Sequence, residues 1–270
     1  MKKKITMLVA ALSLTTVLAG CTSVPANTVF SIDDLVGKKI GVQLGTTGDI
    51  YASGYADENP ADAEGNKTEV RQFSKGADGV IALKQGKIDC VLIDNEPAKV
   101  FVQKNKDLKI LDDPFEEEEY AIAMKKGNTE LKEKIDAALS QLQEDGTLQL
   151  IKDYYIGENA GKTQYVSPEN VDRSNGTLRM ATNAEFGPYE YMDGDKIVGL
   201  DVDMAQAVCD ILGMELYVET IAWDSIIPAI DSGKYDVAVS GMSNTEERRQ
   251  SVDFSITYTT ATQVIIVRAK

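Results

Sequence analysis

Two α/β lobes, each a mostly parallel sheet flanked by helices, are what this sequence predicts. Three observations carry the prediction. Short, almost continuous apolar runs such as residues 88–93 (Ile-Asp-Cys-Val-Leu-Ile) alternate with amphipathic stretches; strands of that kind are buried on both faces, as in a parallel sheet covered by helices. Residues 157–176, rich in Gly, Ser, Asn and charge, separate one such block from a second and read as a linker. The 270 residues are 43% hydrophobic and 26% charged, enough for one large domain or two modest lobes with packed cores.

The chain opens with Lys2, Lys3 and Lys4 ahead of an apolar stretch, residues 5–18, too short to span a bilayer comfortably. Leu18-Ala19-Gly20-Cys21 has the pattern of a bacterial lipobox, in which the Cys21 thiol is lipidated and becomes the mature N-terminus. A plain cleaved signal peptide is the alternative. Removing residues 1–20 takes three Lys and no acid, moving the net charge from −15 to −18. So acidic a chain binds neither nucleic acid nor an anionic bilayer through its general field. It contains no His, which excludes His-based triads, proton shuttles and metal sites, and no metal or cofactor is expected. Cys90 falls in a strand pattern and Cys209 in a helix pattern, so both read as buried free thiols.

Residues 21–29 form a short tether, and residues 31–35 a capped turn. Residues 38–44 are a strand, and Gly45-Thr46-Thr47-Gly48-Asp49 opens a helix, either a plain N-cap or an anion cradle. A polar loop at 57–66 leads to a strand at 68–73, a helix at 77–85 and the buried strand 88–93. Asp94 sits just past its C-terminal end, the edge where open α/β sheets bind ligands; it is either a ligand for an ammonium group or the N-cap of a helix at 96–103. A short strand at 109–111 precedes an acidic run, 116–119, that reads as a solvated loop. A strand at 120–124 and helices at 128–143 and 148–155 complete the first block.

The second block repeats the pattern: a strand at 178–182, an aromatic loop at 186–191, a hairpin around Asp193-Gly194, a helix at 201–212, a strand at 215–220, a helix at 223–232 and a strand at 236–239. Strands at 252–257 and 263–267 end it. Between them lies Val-Ser-Gly-Met-Ser-Asn-Thr-Glu-Glu-Arg, residues 239–248. Ser243 followed by Glu246 is a capping-box pattern, whose free N–H groups suit an anion. Arg248 nearby can grip a carboxylate with two parallel hydrogen bonds. A capped helix with solvated charges is the bland alternative.

Seven segments together resemble the extracytoplasmic solute-binding proteins of bacterial polar amino-acid ABC transporters, family 3 type. They are residues 37–47, 86–94, 146–155, Ala181-Thr182-Asn183-Ala184-Glu185-Phe186-Gly187-Pro188-Tyr189-Glu190, Val198-Gly199-Leu200-Asp201-Val202-Asp203, 223–230 and 240–248. The resemblance covers nearly all of 30–156 and 177–270. It implies a two-lobed periplasmic-binding-protein-like fold of type II. Its order is inverted here, since the family's first segments come last, so the chain looks circularly permuted; a truncated tandem gene is the alternative. On that reading residues 30–118 form one contiguous lobe and 119–270 the other, joined covalently only near Tyr120.

The resemblance also implies the site. Arg248 would clamp a ligand α-carboxylate with Ser243 and the Thr47 turn. Asp94 would take the α-ammonium, assisted by Ser240 or the Gly241 backbone. Phe186 and Trp223 would sandwich the side chain, and Asn183 and Glu185 line the region that selects it. Gly241 and Gly48 depart from the side chains of many relatives. A cationic or polar amino acid follows, with arginine, lysine or ornithine favoured and glutamine or cystine as alternatives. The implied protein is a monomer, anchored outside the cytoplasm through Cys21, and delivers its ligand to an ABC permease. It is not an enzyme. A tethered sensory or adhesive lipoprotein, or a dehydratase-like enzyme using Glu185, are the competing readings.

Overall fold

The structure, a computed structural model, describes residues 24–270; the lipobox and Cys21 lie outside the described residues. The N-terminal lobe runs β1 (Lys39–Gln43), α1 (Thr47–Glu58), β2 (Glu69–Phe73), α2 (Gly76–Lys84), β3 (Cys90–Asp94), α3 (Asn95–Lys104) and β4 (Leu108–Ile110). β1 pairs in parallel with β2 and β3, and all five residues of β3 are buried, as its apolar run predicts. β5 (Glu116–Lys125) then leads into the C-terminal lobe: α4 (Thr129–Glu144), α5 (Thr147–Tyr155), β6 (Thr177–Thr182), β7 (Glu185–Phe186), β8 (Glu190–Asp193), β9 (Lys196–Val198), α6 (Leu200–Leu212), β10 (Glu215–Thr220), α7 (Ile226–Asp231) and β11 (Val237–Ala238). β6 pairs in parallel with β10 and β11, and β7–β9 form a small antiparallel sheet whose β8–β9 hairpin turns at Gly194. β12 (Val252–Arg268) closes the chain.

The main sheet has the order β10-β6-β11-β5-β12-β3-β1-β2, with β4 beside β12. Both central strands pass between the lobes. β12 pairs with β5 from Val252 to Gln263, then with β3 from Gln263 to Val267 and with β4 from Ile266 to Arg268. Ile265 and Val267 are buried with Ile40 and Val42 in the N-terminal core. This corrects the sequence-level division at residue 118/119 with a single crossing: the end of β12 belongs to the N-terminal lobe, and two antiparallel strands form the hinge. The two strands expected at 252–257 and 263–267 are one. The Thr-rich stretch between them is polar but β-branched, which suits a strand, and register shifts between Phe254 and Thr259 let it bend.

The acidic run 116–119 is also not a loop. It starts β5, with Glu118 buried and Glu116, Glu117 and Glu119 exposed. The linker 157–176 is tied down on α6: Tyr165 Oη and Ser167 Oγ donate to Asp210 at 2.7 and 2.6 Å, and Arg173 pairs with the same carboxylate. Cys90 and Cys209 are buried free thiols, as expected.

Candidate functional site

The interlobe cleft holds a small cavity of about 20 Å³. Nine of the ten ligand residues expected from the sequence line it: Thr47 and Asp94 from the N-terminal lobe, and Asn183, Phe186, Trp223, Ser240, Gly241, Ser243 and Arg248 from the C-terminal lobe. Gln43, Thr46 and Glu190 complete the wall. Sequence reasoning missed these three as site residues, although Glu190 stands inside one of the segments that carried the resemblance and Thr46 beside Thr47.

Arg248 opens a three-residue 3-10 turn, Arg248–Gln250. No α-helix starts at Ser243, so the expected capping box does not form. Ser243 instead bridges to Tyr120 on β5, and Thr245 Oγ1 accepts from the Arg248 N–H at 3.2 Å. The guanidinium is buried, lies 5.2 Å over the Trp223 ring, and donates to the Ser243 carbonyl at 3.0 Å and across the cleft to Gly45 O at 3.3 Å. Among the described residues no carboxylate lies within ion-pair distance of it. Burial lowers its pKa from an ordinary value far above neutrality, so it keeps its charge.

Asp94 occupies the N-cap position of α3 but makes no capping bond with its side chain. Its carboxylate accepts from Tyr120 Oη instead. Burial, and then the charge of Glu118, push this carboxyl up to about 8. Next to it, Gln263 Nε2 donates to Glu118 Oε2 at 3.0 Å and Thr47 Oγ1 at 3.4 Å, so side chains from both hinge strands meet beside Asp94. Thr46 caps α1, accepting from Asp49 N at 3.3 Å. Thr46 thus acts as an ordinary N-cap, and among the described residues the next N–H groups, of Thr47 and Gly48, have no acceptor.

The turn after β11 carries Ser240 and Gly241. The Ser240 hydroxyl donates to Glu190 Oε1 at 2.6 Å and accepts from Asn183 N at 3.0 Å; the Gly241 N–H donates to Asp201 Oδ2 at 2.7 Å. What remains for an ammonium is a lone pair of Ser240 and the Gly241 carbonyl. Gly241 has φ +49°, and a Cβ there would stand 2.6 Å from Phe186 Cε1 and 3.2 Å from Tyr120 Cε2. Gly241→Ala is therefore expected to cost more than about 2 kcal/mol of stability and to displace Phe186 from the cavity wall. Urea unfolding checks this; an unchanged midpoint would contradict the packing described.

Glu185 is the exception. It lies outside the cavity and pairs with Lys75 across the cleft mouth at 2.5 Å, both side chains being largely exposed. β7 is short, and alternation along it turns Phe186 inward and Glu185 away.

A cleft between two lobes, with a carboxylate on one wall and a guanidinium on the other, is the layout of a solute-binding class of protein. Profile comparison gives the class its name: the chain belongs to the bacterial extracellular solute-binding proteins, family 3, which match residues 60–158 and 178–270. It is 43% identical over 89 residues to the arginine-binding extracellular protein ArtP of Bacillus subtilis (strain 168), covering 33% of this chain and 35% of that one. It is 32% identical over 136 residues to the L-cystine-binding protein TcyJ of Escherichia coli (strain K12), covering 50% and 48%. These matches span between a third and a half of the relatives' length. A solved ancestral arginine-binding protein bound to arginine shares 45% identity over 29% of this chain and 35% of its own, with a TM-score of 0.29.

Proposed function

We propose that this protein captures one free α-amino acid between its lobes and delivers it to the permease of an ABC importer. One observation carries the reading: Arg248 is buried without a carboxylate partner and lines the same cavity as Asp94, which comes from the opposite lobe. A zwitterion satisfies both charges at once, and only when the lobes are together, so ligand contacts favour the closed state. The α-carboxylate takes Arg248 and the Thr47–Gly48 N–H groups. The α-ammonium takes Asp94 with the Gly241 carbonyl.

The ligand side chain meets Phe186, Trp223, Asn183 and Gln43. Aromatic faces suit a guanidinium or an aliphatic stem, and relatives are named for arginine and cystine. A cationic amino acid (arginine, lysine or ornithine) is favoured, with glutamine or cystine as the other outcomes. The protein is further proposed to be a monomer tethered through a lipid on Cys21, in permuted segment order. The chain order of the seven segments supports the permutation.

Isothermal titration of the protein, cleared of co-purified ligand, against the twenty amino acids plus ornithine and cystine tests this. One-to-one binding of a basic amino acid is the expected result. Binding of glutamine or cystine would keep the clamp and change the side-chain assignment. Failure to bind any would overturn the reading and leave a sensory or adhesive lipoprotein. Glu185→Gln should leave the preferred amino acid unchanged and weaken affinity by no more than about fivefold, less at high salt, because an exposed ion pair at the mouth contributes little. A switch of ligand in that variant would restore Glu185 as the selector.

A further inference from the structure

Two carboxyls that the ligand clamp does not use, Glu190 in the cavity wall and Asp201 outside it, lie fully buried against the Ser240–Gly241 turn. Glu190, the first residue of β8, accepts the Ser240 hydroxyl on Oε1; its Oε2 has no donor among the described residues. Asp201, in the first turn of α6, accepts the Gly241 N–H at 2.7 Å and Tyr258 Oη at 3.0 Å. The two carboxyls converge on adjacent residues of one turn, Glu190 on the Ser240 hydroxyl and Asp201 on the Gly241 N–H. No salt bridge among the described residues reaches either one. The groups that face them are Tyr189 beside Glu190, Tyr258 from β12 and, across the cleft, Asp94 from β3: two phenols and another acid. Two adjacent, unpaired carboxylates in such a place would repel each other without solvent to screen them.

We infer that Glu190 and Asp201 share one proton, carried on Glu190 Oε2 and donated to the Asp201 carboxylate, and that this acid–carboxylate pair is the positioning device of the binding turn. The assignment gives every buried oxygen of the pair a partner. Oε1 receives Ser240, the Oε2 proton goes to Asp201, and Asp201, bearing the one negative charge, receives Gly241, Tyr258 and Glu190. Burial and the Asp201 charge push the Glu190 carboxyl well above the usual carboxylate range. Asp201 is held lower, at about 6, because burial there is opposed by donors from Gly241, Tyr258 and Glu190. The pair thus fixes Ser240 through its hydroxyl and Gly241 through its N–H. Those bonds hold the left-handed conformation at Gly241 that seats Phe186 and leads on to Ser243 and Arg248. Neither residue of the pair has to touch ligand for this role.

The inference rests on the amino-acid reading of the cleft only for its binding arm, so two measurements are combined. The first is thermal unfolding of the ligand-free protein across pH. A carboxyl whose pKa is raised by folding stabilises fully below its unfolded value and loses that contribution as pH rises towards its folded value. The wild-type midpoint should carry this downward slope from about pH 4.5 upwards, and Glu190→Gln, whose amide donates permanently to Asp201 while its carbonyl accepts from Ser240, should lack one proton's share of it. The second is titration with the amino acid that the wild type binds. Asp201→Asn, whose residue lies outside the cavity wall, should hold affinity at pH 7 within about threefold, whereas Asp201→Ala should lose about thirtyfold or more. An unchanged pH slope in Glu190→Gln, or wild-type affinity in Asp201→Ala, would overturn the inference. If Glu190→Gln does not fold, Asp201→Asn makes the same test: its amide donates to a Glu190 carboxylate and its carbonyl accepts from Gly241. If the wild type binds no amino acid, the functional reading fails while the unfolding slope still decides the proton.

Discussion

Arg248→Ala is expected to weaken amino-acid binding by roughly a hundredfold or more, the range seen when one partner of a desolvated charge pair is removed. The free protein already holds this guanidinium out of water, against Trp223 and two carbonyl oxygens. A ligand carboxylate therefore meets a donor that is largely desolvated and fixed in place, and loses less on binding than it would to a surface arginine. Arg248→Lys should recover only part of the loss, because one ammonium cannot reproduce two parallel N–H bonds. Titration calorimetry, with circular dichroism as the folding control, reads both variants. An Arg248→Ala protein that is folded and binds within fivefold of wild type would remove the clamp.

Affinity should also fall on the acid side, by up to about tenfold per pH unit below pH 8. Asp94 must be ionised to hold an ammonium, and burial together with Glu118 pushes its carboxyl up to about 8. Below that value the ligand has to displace a proton from Asp94, so binding and proton release are linked with that sign. Tyr120 and Glu118 on β5 and Gln263 on β12 face the same carboxyl. Asp94→Asn should bind more weakly at pH 8 and show a flat profile beneath it. A wild-type affinity independent of pH between 6 and 8 would show that Asp94 is ionised throughout and that Glu118 does not reach it. Glu190–Asp201 deprotonation acts with the opposite sign, weakening binding as pH rises, so the two limbs are separable by variant.

Local pattern was enough for most elements. The run at 88–93 announced a buried strand, and Asp193-Gly194 its hairpin, because burial on both faces and a two-residue turn each leave a short-range signature. It was insufficient where two local solutions compete. Ser243 and Glu246 spell a capping box, but Ser243 is drawn into a bridge with Tyr120, more than a hundred residues away in sequence, and the backbone turns before a helix can start. Residues 116–119 show no alternation of polarity, since all four are Glu, so only the sheet reveals that Glu118 points inward to Gln263 while its neighbours face water.

By itself the sequence determined the α/β class and the family segments, and it marked Asp94 and Arg248 as candidates, since residue type and position relative to strand ends suffice for that. Tertiary structure alone decided that β12 threads both lobes. It alone turned Glu185 to the cleft mouth and placed Glu190 beside Asp201. These facts depend on contacts between residues far apart in sequence, where burial and the pairing of charges decide which way each side chain faces.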